Sequence, residues 1–294
     1  MKIVTSKLLQ QFNYNQNQVM LVTEDSFNAF KTFLEGAIKA DFDPAMFNLP
    51  SDTDKPYTVV NGVAILDFQG ITVSDCSDLE ALILGTFSLQ GFCEDLQMAV
   101  DDETVSDIIV NFNSGGGFTQ YGDETCELVK SLTSEKPIYA YCGGGYMCSM
   151  AYKVASNMSS IVVSPSAYIG SIGGYLQLST LIGANQLSPD GVTESTIANF
   201  GVKVTTFQSG KNKTQGNEAI ELTQEQKQQI LKRVNDSVNQ FRQMVIANRG
   251  DIKQEFMEGD AYTGKEAMDL DTNLVDGLCN SLNEFVQFIL NNNN

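Results

Sequence analysis

Histidine and tryptophan are both absent from this chain of 294 residues. The missing histidine excludes Ser-His-Asp and Cys-His catalysis within the chain, and it also excludes histidine zinc sites. A serine nucleophile here would need a lysine, a carboxylate or the amino terminus as its base. No pair of carboxylates has a spacing typical of a glycosidase or of a metal centre. We therefore expect neither a metal nor a cofactor.

Long apolar runs are absent as well. No stretch of eighteen apolar residues occurs, and the N-terminus lacks the apolar core of a signal peptide. We expect neither a membrane anchor nor a signal peptide. The six cysteines form no Cys-x-x-Cys pair, which favours buried free thiols over a disulfide or zinc framework. These features favour a cytoplasmic protein.

Basic residues are scarce relative to acidic ones. The chain has 18 Lys and Arg against 36 Asp and Glu, which gives a formal net charge of −18. Such a surface repels a nucleic-acid duplex, so we expect no unaided nucleic-acid binding. The 42% hydrophobic content, with 18% charged residues, is typical of a globular chain that can bury a large core.

The pattern along the chain predicts two parts. Residues 1–50 form an accessory segment with helical apolar spacing over 24–42, and a polar linker at 51–56 leads into a second part, 51–294. Asn61-Gly62 between two β-branched runs predicts a hairpin. Strands and helices then alternate, which predicts parallel βαβ units. The predicted strands cover 106–113, 137–142, 160–163 and 202–208; the predicted helices cover 87–101, 120–132, 146–156, 176–184, 223–248, 251–258 and 281–290.

One stretch, 137–174, has the pattern of a nucleophile site. A strand breaks at three glycines, and a helix then begins with Ser149 in its first turn. This arrangement exposes a serine at a helix N-terminus, where the helix dipole and free N–H groups stabilise an oxyanion. A second glycine turn, NSGGG at 113–117, follows another strand and could supply a further N–H. Two tight turns with no ligand are the alternative, and the glycines alone do not decide.

Several segments together carry a resemblance. NSGGG at 113–117 resembles the NSPGG turn of the Clp-protease/crotonase superfamily. Within that superfamily, the chain is most similar to the serine–lysine peptidases that include signal peptide peptidase A and the phage capsid (prohead) proteases. The other matching segments, in the order of the family, are VVNGVAILDFQG at 59–70, CSMAY at 148–152, IGSIG at 169–173, SGKNK at 209–213, YTG at 262–264 and LVDGL at 274–278.

The resemblance implies a set of site residues. Ser149 would be the nucleophile and Lys213 the general base. The oxyanion N–H groups would come from Gly117 or Gly116 and from Met150. The substrate would lie extended beside a segment made of Ser171, Ile172, Gly173 and Gly174. Two departures are that Gly115 replaces the usual proline of the first turn, and that Met150-Ala151 replaces Gly-Gly after the nucleophile.

Lys153 competes with Lys213 for the role of base, because it follows Ser149 by one helical turn. A lysine base must be neutral, and lowering its pKa from about 10.4 to about 7 takes burial against apolar walls. We expect Lys153 to be a solvated helix residue, and the family has an apolar side chain at this position. The interpretation therefore favours Lys213, although a solvated turn lysine remains the ordinary alternative for it.

The resemblance implies an α/β fold of the Clp-protease/crotonase type, with stacked sheets and flanking helices after an N-terminal helical segment. It further implies a serine endopeptidase without a cofactor, acting on protein or peptide substrates and assembling into a homo-oligomeric ring. The missing anchor favours the phage branch, which cleaves scaffold or capsid proteins in the host cytoplasm or the prohead. The alternatives are a bacterial signal-peptide-peptidase-like protease, a catalytically silent capsid-assembly module, and a crotonase-type acyl-CoA enzyme.

Overall fold

The computed structural model describes residues 20–22, 55–197, 201–210, 212–213 and 215–292. The predicted helix at 24–42 and the predicted boundary near residue 50 lie outside these residues. None of the helices within them is long and apolar enough to cross a membrane.

Short strands alternate with helices along most of the described chain. The strands are β1 (Met20–Val22), β2 (Thr58–Val60), β3 (Val63–Gln69), β4 (Ile71–Val73), β5 (Thr86–Ser88), β6 (Asp107–Asn113), β7 (Gly116–Phe118), β8 (Ile138–Cys142), β9 (Tyr146–Cys148), β10 (Ser160–Val163), β11 (Tyr168–Gly170), β12 (Asn185–Gln186), β13 (Val192–Ile197), β14 (Val202–Phe207), β15 (Ile220–Glu221), β16 (Ala261–Thr263) and β17 (Gly277–Leu278). The α-helices are α1 (Asp78–Leu84), α2 (Leu89–Asp101), α3 (Gly122–Thr133), α4 (Met150–Ala155), α5 (Gln224–Arg249), α6 (Gly264–Asp269) and α7 (Leu282–Asn292). A 3₁₀ turn covers Gln254–Met257.

The central sheet has six strands in the order β17-β10-β8-β6-β3-β2. All its pairings are parallel except the predicted β2–β3 hairpin. Asn61 and Gly62 both have positive φ, at 51° and 88°, as a two-residue hairpin turn of this kind requires. The parallel strands are mostly buried, since helices cover the sheet faces. The predicted α/β class is confirmed.

Two smaller sheets complete the body, with orders β1-β7-β4-β5 and β16-β11-β9. Aromatic rings join the first of them to the central sheet. Phe68 on β3 lies 4.3 Å, centroid to centroid, from Phe87 on β5, and 4.7 Å from Phe112 on β6. Phe68 and Phe112 belong to one large core, and Phe87 packs against it. The smaller sheet therefore packs against the central sheet through these rings, as the predicted stacking of sheets requires.

The described residues within 185–221, called the arm below, contain two further strand pairs, β12–β15 and β13–β14. The predicted helix at 176–184 is wrong: most of this stretch is irregular and its side chains are exposed or half-buried. Gly183 has a φ of 96°, and a Cβ there would lie 2.2 Å from the carbonyl oxygen of Thr196. A helix cannot accommodate that backbone conformation. Strand β13 has no counterpart among the predicted strands.

Helix α5 is confirmed with its predicted cap. Thr223 Oγ1 accepts the N–H of Gln226, and the Gln226 side chain accepts the N–H of Thr223. At the other end, Arg249 donates two hydrogen bonds to Asp276, at 2.9 and 2.7 Å. Asp276 also accepts the N–H of Ile161 at 2.7 Å, so the C-terminal end of α5 is tied to the central sheet.

Candidate active site

Ser149 occupies the turn between β9 and α4. The predicted helix 146–156 begins only at Met150, because Tyr146–Cys148 forms a strand parallel to β11. The N–H of Ser149 donates to the carbonyl oxygen of Gly170 at 2.7 Å, which extends this pairing by one residue. Ser149 has a φ of 57° and a ψ of −118°, a conformation that L residues rarely adopt. Such strained strand–helix turns are typical of nucleophilic serines.

The side chain of Ser149 is buried, with 1% of the residue exposed. Its hydroxyl makes no hydrogen bond to any residue that the structure describes. Ser149 is therefore less exposed than the turn pattern predicts. Its hydroxyl is not one of the fully buried side-chain oxygens that lack a partner among the described residues, such as those of Thr72, Thr86 and Tyr141.

The predicted oxyanion donors differ in their availability. The N–H of Met150 opens α4 and has no acceptor among the described residues, as expected for a first helical residue. The N–H of Gly116 donates to Ser114 Oγ at 3.1 Å. Gly116 and Gly117 also lie in β7, so the glycine stretch forms a strand rather than the predicted open turn. A Cβ at Gly117 would lie 2.1 Å from the carbonyl oxygen of Thr72, which makes glycine obligatory there.

Ser114 connects the two glycine segments, and the sequence reasoning does not single it out. Its hydroxyl donates to the carbonyl oxygen of Gly70 at 2.6 Å, and its N–H donates to the carbonyl oxygen of Tyr146 at 2.6 Å. Its carbonyl oxygen accepts the N–H of Cys148 at 3.1 Å. Ser114 thus fixes β9, and with it the start of the Ser149 turn. The one feature of the sequence that could have pointed to Ser114 is its place as a polar residue within the NSGGG motif.

The segment Ser171 to Gly174 directly follows β11 and belongs to no strand within the described chain. Ser171 has a φ of 51°; its N–H donates to the carbonyl oxygen of Asp260 at 2.8 Å, and its hydroxyl to that of Gly259 at 3.1 Å. Ile172 is fully buried. One side of this segment is therefore anchored. The backbone groups of Gly173 and Gly174 make no hydrogen bond among the described residues.

Lys213 is not brought to Ser149. It lies in the turn after β14, on the arm, with its side chain exposed. Its backbone N–H donates to the carbonyl oxygen of Gly210 at 3.1 Å, and no hydrogen bond or ion pair joins its ammonium to a described residue. Because Lys213 is exposed, the residues that the structure describes do not enclose it in the apolar walls that a neutral lysine requires.

Lys153 is buried, contrary to expectation. The sequence predicts a solvated side chain, yet only 3% of the residue is exposed, because every residue of α4 is buried. Its ammonium forms an ion pair with Asp123, which lies in the first turn of α3 and is 58% exposed. Its ammonium is occupied by Asp123, so the structure favours a structural role for Lys153 over that of base.

Two thiols lie near the nucleophile and could compete with it. Burial raises the pKa of Cys148 to about 12 and that of Cys142 to about 11. A thiol is a strong nucleophile only as thiolate, so these groups are inert near neutral pH. All six cysteines are free thiols, as predicted. No cluster of carboxylates and thiols within the described residues could hold a metal ion.

The chain is similar in sequence to a known peptidase family and to two bacteriophage proteins. The sequence pattern of peptidase family S49 matches residues 130–287, more than half of the chain, including Ser149 and Lys213. The chain is 28% identical over 244 residues to capsid assembly protease C of Escherichia phage lambda, covering 81% of this chain and 52% of that protein. It is 29% identical over 211 residues to head-tail preconnector protein GP5 of Enterobacteria phage P21, covering 72% and 38% respectively.

The chain therefore spans about half, or less, of the length of these curated relatives. Among solved structures, a mutant form of the 1510-N membrane-bound stomatin-specific protease aligns with a TM-score of 0.44 and 12% identity. That alignment covers 78% of this chain and 85% of the other.

Proposed function

The chain belongs to peptidase family S49, and on that premise we propose that it is a serine endopeptidase with Ser149 as nucleophile and Lys213 as base. The observation that carries the proposal is the strained turn at Ser149. A strained backbone costs free energy, and here it occurs at the residue that precedes a helix, with a hydroxyl that makes no hydrogen bond to a described residue. Catalysis explains why such a costly arrangement is retained.

The proposed reaction proceeds through an acyl-enzyme. Ser149 Oγ attacks the peptide carbonyl carbon while Lys213 Nζ takes its proton, and the carbonyl oxygen becomes an oxyanion. The N–H of Met150 donates to that oxygen, and a second donor comes from Gly117, or from Gly116 if its N–H leaves Ser114. The C–N bond then breaks as Lys213 returns the proton to the leaving amine. Water, deprotonated by the neutral Lys213, attacks the ester and releases Ser149.

Lys213 sets a condition on this proposal. A lysine accepts a proton only in its neutral form, which burial away from water favours. The arm that carries it must become buried, together with Lys213, against apolar surface near Ser149. We propose that the expected homo-oligomeric ring supplies this burial, with the substrate chain lying along the segment from Ser171 to Gly174.

The likeness to two phage head proteins supports a protein substrate from a phage capsid or its scaffold. The corresponding location would be the host cytoplasm or the prohead. In this proposal residues 51–294 form the peptidase domain and residues 1–50 an accessory segment. A bacterial signal-peptide-peptidase-like protease is the alternative within the same family.

One observation favours a different function. Because Lys213 is exposed and no hydrogen bond joins it to Ser149 among the described residues, the proposed dyad is incomplete in the single chain. A catalytically silent member that binds capsid components during assembly would show the same geometry. The two functions differ in whether an unfolded protein substrate is cleaved.

The deciding experiment measures cleavage of an unfolded protein near pH 8 by intact mass. It compares the wild type with Ser149→Ala, Lys213→Ala and Lys153→Met, the last of which removes the charge and keeps an unbranched side chain of similar volume. We expect cleavage by the wild type and Lys153→Met, and losses of about 10³-fold or more in the other two. Mixing Ser149→Ala with Lys213→Ala tests whether neighbouring copies share a site, since shared sites would restore part of the activity.

Cleavage that survives in Lys213→Ala but not in Lys153→Met would reverse the assignment of the base. A wild type that is inert towards both unfolded proteins and capsid components would favour the silent assembly function.

A further inference from the structure

Strand β1 lies on the edge of β7. Met20 pairs with Phe118, Leu21 with Gly117 and Val22 with Gly116, in antiparallel register. In the strand order β1-β7-β4-β5, β4 holds one edge of β7, and β1 therefore takes the other. A segment from the far N-terminal part of the chain thus reaches a strand that begins only two residues after Ser114.

The edge of β7 that β1 covers is next to the nucleophile. β7 packs against α4, the helix that Ser149 opens. Ser114, just before β7, is bonded in both directions to β9, the strand that ends just before Ser149. An extended peptide that took the place of β1 on this edge of β7 would run past the Ser149 turn. Extended peptides bind in this way by adding a strand to an exposed sheet edge.

We infer that a substrate chain lying along the segment from Ser171 to Gly174 also pairs with this edge of β7, and that β1 occupies this place on β7, so that β1 restrains the proposed peptidase until it is displaced. This inference rests on the proposed function, because it has β1 compete with the substrate of that function for the edge of β7. The antiparallel register puts Leu21 and Val22 opposite the two glycines proposed as oxyanion donors. The burial of Ser149 agrees with a site in which the substrate's position is already filled.

The restraint is of moderate strength. A tethered strand competes at an effective concentration in the millimolar range, so an untethered peptide must bind tightly or be abundant to replace it. Three paired residues give few ladder hydrogen bonds, so the strand is held weakly enough to be displaced. A competitor of this kind lowers the apparent affinity for substrate by about tenfold.

The test uses full-length protein with Ser149→Ala, so that binding is measured without cleavage. The probe is a fluorescein-labelled synthetic peptide with the sequence of residues 17–26, NQVMLVTEDS, followed by fluorescence anisotropy. Adding Leu21→Pro removes a backbone N–H and restricts the backbone of β1. We expect Leu21→Pro to tighten probe binding about tenfold, whereas the matched control Leu21→Val changes it less than about twofold. Equal affinities in the three proteins would overturn the inference.

A second measurement needs no change in β1. Hydrogen exchange of the Ser149→Ala protein is followed with and without excess unlabelled peptide. We expect exchange at residues 20–22 to accelerate while residues 116–118 stay protected, as one strand replaces the other. Unchanged exchange at 20–22 under saturating peptide contradicts the proposal, even if Leu21→Pro fails to fold.

Cleavage separates this inference from the function on which it rests. With Ser149 intact, Leu21→Pro should hydrolyse an unfolded protein about tenfold faster than the wild type at low substrate concentration. Tighter probe binding without hydrolysis in either protein would retain the restraint and reject the peptidase. Equal hydrolysis with equal probe binding would retain the peptidase and reject the restraint.

Discussion

At the scale of single residues, Ser149 combines a strained backbone with an unused hydroxyl. Residues held in such regions of φ and ψ cost about 1–3 kcal/mol each. The hydrogen bonds from Ser149 N–H to Gly170 and from Lys153 N–H to Ser149 O hold the turn from both sides. The surrounding strands and helix therefore determine the conformation, and the residue itself does not.

The strain can be measured separately from the chemistry. We predict that Ser149→Gly and Ser149→Ala both abolish cleavage, because both remove the nucleophile. Glycine adopts positive φ without a steric penalty. The free energy of unfolding of Ser149→Gly should therefore be about 1 kcal/mol larger than that of Ser149→Ala. Urea unfolding of the two variants checks this difference. Equal stabilities would mean that the turn is not strained.

Sequence reasoning at this scale identifies the position proposed for the nucleophile but not the surroundings of the lysines. Ser149 follows from a glycine break between a strand and a helix, which is a local pattern. The burial of Lys153 depends on α4 being enclosed on all sides, and the exposure of Lys213 depends on where the arm lies. Both are tertiary properties, which the residue types around each lysine do not report.

At the scale of elements, the ion pair between Lys153 and Asp123 joins α4 to α3. The pair is asymmetric: the lysine side chain is 4% exposed and the aspartate 58%. Removing either partner therefore leaves a different residue unpaired. An unpaired carboxylate at Asp123 still contacts water, whereas an unpaired ammonium at Lys153 is enclosed by protein.

We predict that Asp123→Ala destabilises the fold by about 3 kcal/mol, because it leaves a buried, uncompensated charge. Lys153→Met keeps the volume and removes the charge, so its cost should stay below about 1 kcal/mol. Urea unfolding near neutral pH measures both. A larger loss in Lys153→Met than in Asp123→Ala would show that the ammonium, and not its pairing, stabilises α4.

Elements with strong local signals are predictable from the sequence, and short ones are not. The Asn-Gly hairpin and the capped helix α5 depend on turn and cap chemistry that acts within a few residues. The three residues of β9 are too few to show alternation, so the sequence pattern merges them with the following helix. The stretch 176–184 is predicted as a helix, yet it is irregular, and Gly183 has a positive φ and lies against the carbonyl oxygen of Thr196.

At the scale of the whole molecule, the free energy of unfolding should depend on pH through a half-buried carboxyl group, that of Asp95. Asp95 on α2 is half-buried. Burial, with smaller contributions from Glu94 and Asp78, raises the pKa of Asp95 to about 6. The folded state then binds this proton more tightly than the unfolded state, whose pKa is about 3.9. Its contribution to stability is full below about pH 4 and is lost as the pH rises to about 6.

We predict that Asp95→Asn raises the free energy of unfolding by about 1 kcal/mol at about pH 7.5, after allowance for solvent screening, and leaves it nearly unchanged at about pH 4. Urea unfolding at the two pH values measures this. Asp101→Asn, an exposed position on the same helix, is the matched control and should change little at either pH. A gain under acidic conditions as large as that above neutrality would contradict the assigned cause.

Helix α5 connects the arm to the central sheet, so a rotation of this helix would move part of the arm. Its 26 residues span about 39 Å, and the Arg249–Asp276 bonds fix one end like a fulcrum. The Gln226 carbonyl oxygen near the other end accepts a 3.3 Å hydrogen bond from Gln215, so the segment beside Lys213 travels with that end. A tilt of about 5° at the fulcrum moves the far end by about 3 Å over this length. A rotation of this size would therefore move the segment beside Lys213 by about the length of one hydrogen bond.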